Sequence, residues 1–451
     1  MPAPIKKLAS HTLSLRLTSV LLYGTFGLLM FGPLAFGAVE PWSIFVLEAG
    51  TVLLFLVWLA KQWIDEELIL RWNPLFLPMA AFAVLIALQL ALRRSSYPHD
   101  TIATALLYGA YGILCFLSQQ VLRRSSQARK LAVIFSVYGA AVAAFALVQG
   151  IAPNGKLYWV REPHLGGWNY GPYVNHNHYA GLMELLVPIP LVLALTRLAE
   201  DKERIAAAIV AAVMVGTLFL SGSRGGMLAI LVELAVLAVV LFRHKRGLRT
   251  VVGVAAFAIV LVSLLAWLGG KELTARVSSI SKESKSEISG GMRTSIYRDT
   301  VHMFRQRPVL GWGLGTFPVV FPKFRSFYTN FFVNEAHNDF LQLLAETGIA
   351  GFAIMLWFLV VAYRQASTKM ANWMTDVSGA VTLACMVGIT GILVHSLVDF
   401  NLQIPANAAL FYVFCTLAAA PPLYQRSRKR KPATPSDEGQ AEPVMPATEV
   451  V

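Results

Sequence analysis

The sequence predicts an all-α, polytopic integral membrane protein with about twelve transmembrane helices and one large outward-facing loop that carries short helices. Two observations support this fold class. Of the 451 residues, 56% are hydrophobic and only 14% are charged, whereas soluble domains carry roughly 25% charged residues. The hydrophobic residues also form repeated runs of about 20 residues, which is the length that crosses a bilayer as a helix.

The apolar runs place the helices in order along the chain. They predict helices near 15–37, 42–60, 73–92, 101–121, 130–151, 177–197, 205–220, 226–242, 250–269, 338–362, 376–396 and 404–422. The first run exceeds the about 7–15 apolar residues of a signal-peptide core, so we expect a membrane anchor there. Residues 426–451 are rich in proline and lack apolar periodicity. They are expected to form a disordered cytoplasmic tail after a transmembrane domain of residues 1–425.

Basic residues are concentrated in every second loop, and this pattern predicts the topology. The basic loops hold Lys6, Lys7, Arg71, Arg123, Arg124, Arg129, Lys130, Arg197, Lys202, Arg204, Arg243, Lys245, Arg246, Arg249, Arg364, Lys369, Arg426, Arg428, Lys429, Arg430 and Lys431. The positive-inside rule puts these loops and both termini in the cytoplasm, so the loops near 152–176 and 270–337 face outward. Because the net charge of +13 is divided among such clusters, it indicates topology and not a nucleic-acid-binding face.

Arg224 is a candidate for binding an anion at the outer face of the membrane. It lies in the turn Ser221–Gly226, which joins two predicted spans through a few small residues. A guanidinium group keeps its charge and can hold phosphate oxygens through two hydrogen bonds. The alternative is an interfacial arginine that only anchors the end of a helix.

Two further arginines lie on the amphipathic run 292–305 of the long loop. These are Arg293 and Arg298, and the apolar face between Ile296 and Phe304 is expected to lie on the membrane surface. Either arginine would then reach a phosphate at headgroup depth. The alternative is an ordinary interfacial helix that touches lipid phosphates.

Two histidine clusters lie where outward-facing loops meet predicted spans. His337 is followed by Asn338 and Asp339, and a histidine with a neighbouring carboxylate can accept a proton from a hydroxyl group at neutral pH. Its alternative is a capping or merely exposed histidine. His395 and Asp399 form the second cluster. An ionisable pair at the end of a span is a candidate functional site, although a structural hydrogen-bonded pair explains it equally well.

No motif in the sequence predicts a metal or nucleotide cofactor. Asn175, His176 and His178 form an N-H-x-H pattern that invites a metal interpretation, but no nearby carboxylate cluster completes such a site. A helix cap or a loop that contacts the substrate is the preferred interpretation. The glycine-dense turn Gly311–Gly315 lacks the lysine and the preceding strand of a phosphate-binding loop.

Taken in order, these motifs resemble the O-antigen ligase and O-antigen polymerase superfamily of membrane glycosyltransferases. The resemblance covers roughly residues 170–405. It is carried by residues 175–181, the turn 221–226, the run 293–317, the segment 337–348 and the ending 395–400.

The resemblance implies transfer of a glycan from undecaprenyl diphosphate to an acceptor hydroxyl at the periplasmic face of the bacterial inner membrane. The implied reaction inverts the anomeric carbon and needs no metal or other cofactor. By the same resemblance, Arg224 and Arg293 bind the diphosphate, with Arg298 as the other loop candidate. The resemblance makes His337 the general base. We also expect contact with the substrates, or support of the site, from Asn175, His176, His178, Asn338, Asp339, His395 and Asp399.

The identity of the acceptor stays open at the level of sequence. Lipid A-core would make the protein a ligase in lipopolysaccharide biosynthesis. A growing polysaccharide chain would make it a polymerase, and a protein would make it an O-oligosaccharyltransferase. A polysaccharide transporter or flippase is the competing class, but such proteins place polar residues and broken helices at mid-membrane, often in matched halves. Here the ionisable residues gather at the outer edge, which favours an enzyme.

Overall fold

The computed structural model describes residues 3–162, 168–243, 290–330 and 332–424. Within these ranges the chain is all α, as predicted, and forms no β-strand. The helices are α1 (Ala3–Leu34), α2 (Pro41–Asp65), α3 (Phe76–Ala91), α4 (Pro98–Val121), α5 (Ser125–Ile151), α6 (His176–Leu186), α7 (Pro188–Leu195), α8 (Asp201–Leu220), α9 (Arg224–Arg243), α10 (Gly290–Gln306), α11 (Phe317–Val320), α12 (Asp339–Lys369), α13 (Val377–His395) and α14 (Pro405–Ala419). The predicted helix 250–269 and the predicted tail 426–451 lie outside the described residues.

The described helices make the protein a multi-pass membrane protein. Nine helical segments among them are long and apolar enough to cross a bilayer, and α3 and α14 are shorter apolar helices. The prediction of a polytopic α-helical membrane protein is therefore confirmed, whereas the number twelve is not.

One predicted span is divided in two. The run 177–197 was expected to form a single helix, but α6 ends at Leu186 and α7 begins at Pro188. The reason is local, because a proline inside a helix removes a backbone donor and clashes with the preceding turn. The first helix also differs from the prediction, since it begins at Ala3 and not near residue 15.

Helices α6, α13 and α14 form the centre of the bundle. The window that contains α6 and α7 is 72% buried within the protein and that of α13 is 67% buried, against 22–39% for the other spans. Every residue of α6 is buried. Small residues allow this close packing, since a Cβ on Gly388 of α13 would lie 3.0 Å from the carbonyl oxygen of Glu184 in α6. The central helices therefore pack on protein, and the outer helices expose side chains such as Phe45, at 67%, to lipid.

The described part of the long loop has its own apolar core. Ile296 and Met303 of α10 are fully buried against Trp312, Phe317 and Phe321. The expectation that this apolar face lies on the membrane surface is therefore wrong. An amphipathic pattern shows that one face avoids water, but it does not distinguish a lipid partner from a protein partner.

The loop is attached to α12 at a break in that helix. Gly348 has a φ of +66° inside α12, and Gly311 of the loop, with a φ of +68°, packs against the backbone there. Across this contact Trp312 N donates to Ala345 O at 3.1 Å and Ile349 N donates to Pro308 O at 2.8 Å. The two glycines allow the backbones to approach because neither carries a Cβ.

We expect the substitution Gly311→Ala to destabilise the protein. The new Cβ would lie 2.4 Å from the carbonyl of Glu346, and the left-handed backbone alone costs about 1–3 kcal/mol. Thermal unfolding of the purified protein in detergent measures the loss. The control is Gly109→Ala in α4, where the added Cβ meets no atom within 4 Å. An unchanged melting temperature in Gly311→Ala would contradict the described contact.

Candidate functional site

The candidate residues converge at one end of the bundle. Asn175 and His176 begin α6, Arg224 begins α9, His337 precedes α12, and His395 ends α13. Asp399 lies in the turn that follows α13 and is 1% exposed. The ends of four helices and the loop helix α10 therefore surround this carboxylate.

Asp399 pairs with the loop arginine and with the candidate base. Its Oδ2 lies 3.7 Å from Nη2 of Arg293, and its Oδ1 lies 3.7 Å from Nδ1 of His337. Arg293 is fixed further by a hydrogen bond of 2.8 Å from Nη1 to the carbonyl oxygen of Val398. Nε of Arg293 and Nδ1 of His337 are buried and have no hydrogen-bond partner among the described residues. Nε of Arg293 thus keeps hydrogen-bonding capacity, whereas Nδ1 of His337 faces Asp399 and leaves Nε2 as the ring nitrogen that can accept a proton.

The ionised state of Asp399 is favoured by its neighbours. Burial by itself raises the pKa of this carboxyl group, but the contact with His337 and the charges of Arg293 and His178 outweigh it. Together they hold the pKa of Asp399 well below its ordinary value. Asp399 is therefore a permanent negative charge at neutral pH, and it can stabilise a positive imidazole ring at His337.

His337 is held in an unusual backbone conformation. Its φ of +53° lies in the left-handed region, which costs a residue with a Cβ free energy unless the surroundings fix it. Tyr297 of α10 contributes to that fixation, since its hydroxyl donates to the carbonyl oxygen of His337 at 2.7 Å. The ring packs edge-on against Phe400 at 4.8 Å. His337 is buried and is not the helix cap, so the capping alternative does not apply.

Asn338 and Asp339 hold the start of α12 to the turn after α13. Asn338 caps the helix, because its Oδ1 accepts from Leu341 N at 2.9 Å, and its Nδ2 donates to Leu397 O at 2.8 Å. Oδ2 of Asp339 accepts from Leu402 N at 3.0 Å. These two residues face the protein framework, so they fix the position of His337 relative to Asp399.

The pattern Asn175–His178 forms the start of α6. Asn175 is the helix cap and accepts from Asn177 N at 2.8 Å, as preferred from the sequence. His176 stacks on Trp168 with 4.4 Å between ring centres. His178 packs edge-on against Phe400 at 4.7 Å, so it shares this neighbour with His337. The two histidines thus contribute to one wall of the site.

The three candidate arginines have different surroundings. Arg224 is exposed at the first position of α9 and makes no ion pair with a described residue. Arg293 is bound to the turn that carries Asp399. Arg298 is also exposed, and its Nη2 donates to Ser326 Oγ at 2.9 Å within the loop. The structure therefore brings Arg293 to the cluster and leaves Arg298 in the loop.

Glu184 is a residue of the site that the sequence interpretation missed. Its Oε1 lies 2.7 Å from Nδ1 of His395, deep among the central helices. The signal was present, because an acidic residue within an apolar run is costly and usually has a function. Tyr297 was also missed as a site residue, since it was counted only as part of an apolar face.

A comparison with protein families identifies the domain. Residues 209–356 match the family model described as O-antigen ligase. This segment of the chain is similar to the O-antigen ligase family. This match confirms the resemblance inferred from the motifs, and the family comprises membrane glycosyltransferase-like enzymes. The matched segment includes Arg224, Arg293 and His337, whereas Asp399 lies beyond its end. No curated protein matches the chain.

We expect the substitution Asp399→Asn to destabilise the protein in a pH-dependent way. Removing one partner of a buried ion pair costs about 3 kcal/mol. Because the folded state lowers the pKa of Asp399, the stabilisation is fully present above the ordinary pKa of 3.8 and is lost as the pH falls below it. The stability difference between wild type and Asp399→Asn should therefore close on acidification.

Thermal unfolding in detergent across this pH range measures that difference. The control is Asp201→Asn, which removes the 89% exposed partner of Arg204 and should change stability by less than about 1 kcal/mol at every pH. A difference between wild type and Asp399→Asn that widens below pH 3.8 would contradict the described ion pair.

Proposed function

We propose that this protein is an O-antigen ligase-like glycosyltransferase, which moves a glycan from undecaprenyl diphosphate to an acceptor hydroxyl of lipid A-core. The observation that carries the proposal is the contact of Asp399 with both Arg293 and His337. Arg224 is exposed to solvent at the same end of the bundle. This arrangement combines positive groups for a diphosphate with a histidine and carboxylate for proton transfer.

In the proposed reaction, Arg224 and Arg293 bind the diphosphate of the donor. The bond between the anomeric carbon and the diphosphate oxygen breaks, and the electron pair leaves with the diphosphate. Negative charge therefore grows on that group, and two guanidinium groups stabilise it. The energy of transfer comes from the activated donor, so no ATP is required.

His337 acts as general base on the opposite face of the sugar. It takes the proton of the acceptor hydroxyl while the acceptor oxygen forms the new bond to the anomeric carbon. This in-line displacement inverts the configuration at that carbon. The imidazolium that forms is stabilised by Asp399, which stays ionised at neutral pH.

The same proposal assigns the orientation in the bacterial inner membrane. Basic residues bind backbone carbonyls at the end opposite the site. Nη1 of Arg71 donates to Leu122 O at 3.0 Å, and Nζ of Lys369 donates to Leu417 O at 3.2 Å. The positive-inside rule favours the cytoplasm for this end. The site then faces the periplasm, where lipid-linked glycans are available, and both termini are cytoplasmic.

We expect Arg224→Ala, Arg293→Ala and His337→Ala each to reduce glycan transfer by about 10²–10⁴-fold. The assay uses purified protein in detergent, a polyprenyl-diphosphate-linked glycan and three acceptors in parallel: lipid A-core, a second lipid-linked repeat unit and a protein. The control Arg298→Ala removes an exposed loop arginine that contacts Ser326, and it should retain more activity than Arg293→Ala. Full activity in His337→Ala would reject its role as base.

The parallel acceptors identify the reaction within the superfamily. Transfer to lipid A-core supports a ligase, and transfer only to the repeat unit supports a polymerase. Transfer only to protein supports an O-oligosaccharyltransferase. The same assay with a metal chelator added tests whether the mechanism is independent of metal. A loss of activity in the presence of the chelator would reject the metal-independent mechanism.

For the orientation, we expect a reporter fused after Lys431 to be active in the cytoplasm. A matched fusion within the loop near residues 152–176 should report the periplasm. A periplasmic signal from the fusion after Lys431 would contradict the proposed topology.

A further inference from the structure

A buried ion pair that the proposed mechanism does not use lies next to the site. Nδ1 of His395 is 2.7 Å from Oε1 of Glu184, and the two side chains are 1% and 0% exposed. The pair joins the end of α13 to the last turn of α6. A carboxylate among apolar helices is costly even when it is paired. Its presence in a packed central helix therefore requires a reason.

The other edge of the His395 ring faces the residues that hold the two arginines. A Cβ on Gly225 would lie 2.5 Å from Nε2 of His395 and 3.2 Å from Cγ2 of Val398. Gly225 follows Arg224 in the first turn of α9, and the carbonyl oxygen of Val398 accepts from Arg293. The ring thus lies between Glu184 on one side and the supports of both arginines on the other.

The charges around this ring are of both signs. His395 interacts with Glu184, with Asp399, with Arg293 and with the buried His176 and His178 of α6, and Glu233 of α9 lies next to Glu184. Asp399 is engaged by Arg293 and His337. The start of α9 adds the positive end of a helix dipole beside the exposed Arg224. A place for an anion is therefore found at the start of α9 and not among the buried carboxylates.

We propose that Glu184 is a positioning residue for diphosphate binding. Its carboxylate holds His395 as an imidazolium whose Nε2 edge adds a third positive group beside Arg224 and Arg293. This inference rests on the proposed function, because it names a further part of the same anion site. Glu184 itself does not touch the substrate.

A purely structural role makes a different prediction. If Glu184 only connects α6 to α13, then a hydrogen bond suffices, and Glu184→Gln preserves it because the amide oxygen can accept from Nδ1 of His395. If the negative charge of Glu184 matters, the same substitution weakens anion binding although the fold is retained. The two roles are therefore separable with one nearly isosteric change.

The experiment measures the binding of inorganic pyrophosphate to the full chain in detergent, together with KM and kcat for a lipid-linked glycan donor. We expect Glu184→Gln to weaken pyrophosphate binding roughly tenfold and to raise KM more than it lowers kcat. The melting temperature should change little. His395→Gln should have the same effect, and the double variant should be no worse than either single variant.

The control is Glu233→Gln, which removes another buried carboxylate. Glu233 is 2% exposed, lies against Gly391 of α13 and has an Oε1 without a hydrogen-bond partner among the described residues. No hydrogen bond or ion pair joins it to His395 among the described residues, so Glu233→Gln should bind pyrophosphate as the wild type does.

The outcomes separate this inference from the function on which it rests. If pyrophosphate binding falls in Arg224→Ala but not in Glu184→Gln or His395→Gln, the inference is wrong and the proposed function stands. If binding is unchanged in Arg224→Ala as well, the proposed function is wrong. An equal loss in Glu233→Gln and Glu184→Gln also overturns the inference, because it would show a general effect of buried charge.

Discussion

A carboxylate buried at the end of a membrane-spanning helix must have positive partners, because burial removes the water that would otherwise stabilise its charge. Asp399 has such partners in Arg293 and His337. These ion pairs connect a loop helix, the start of α12 and the turn after α13 at one place. If Asp399 were neutral, Arg293 would lose its ionic contact, and the charge that stabilises a protonated His337 would be absent.

The framework around Asp399 is rigid for reasons that do not involve its charge. The central helices α6, α13 and α14 pack on protein nearly all round, and their ends supply the turns of the site. Asn338 and Asp339 then bind the start of α12 to the turn after α13 through hydrogen bonds to backbone groups. A site built on packed helix ends keeps its geometry without a bound ligand, which is what preorganised stabilisation of a developing charge requires.

Much of this architecture could be predicted from the sequence, because run length and composition respond directly to the bilayer. The division between α6 and α7 could also have been predicted, because Pro188 and Pro190 lie within the apolar run 177–197. Arg293 could not be chosen over Arg298, because both lie on the same amphipathic run. The choice depends on a contact with Val398, 105 residues away. The left-handed backbone conformation of His337 could not be predicted either. Such a conformation is expected from sequence mainly at glycine, and this position is a histidine.

Glu184 shows why a local pattern cannot assign a role. An acidic residue in an apolar run signals a special environment, but its partner His395 lies 211 positions further along the chain. Only the packing of α6 against α13 brings them together. The same holds for the glycines at 225, 226, 388 and 391. Each lacks a Cβ where a side chain or backbone from another helix packs closely, and the periodicity of the sequence does not identify that neighbour.

The break at Gly348 divides α12 into a short segment before it and a long segment after it. The long segment, which ends at Lys369, belongs to the membrane bundle. Before the break, the short segment that begins at Asp339 is bound to the loop, where Trp312 N donates to Ala345 O, and through Asn338 and Asp339 to the turn after α13. A substitution in the loop or in the turn after α13 would therefore move this short segment, and His337 before it, while the spanning part of α12 beyond Gly348 keeps its place.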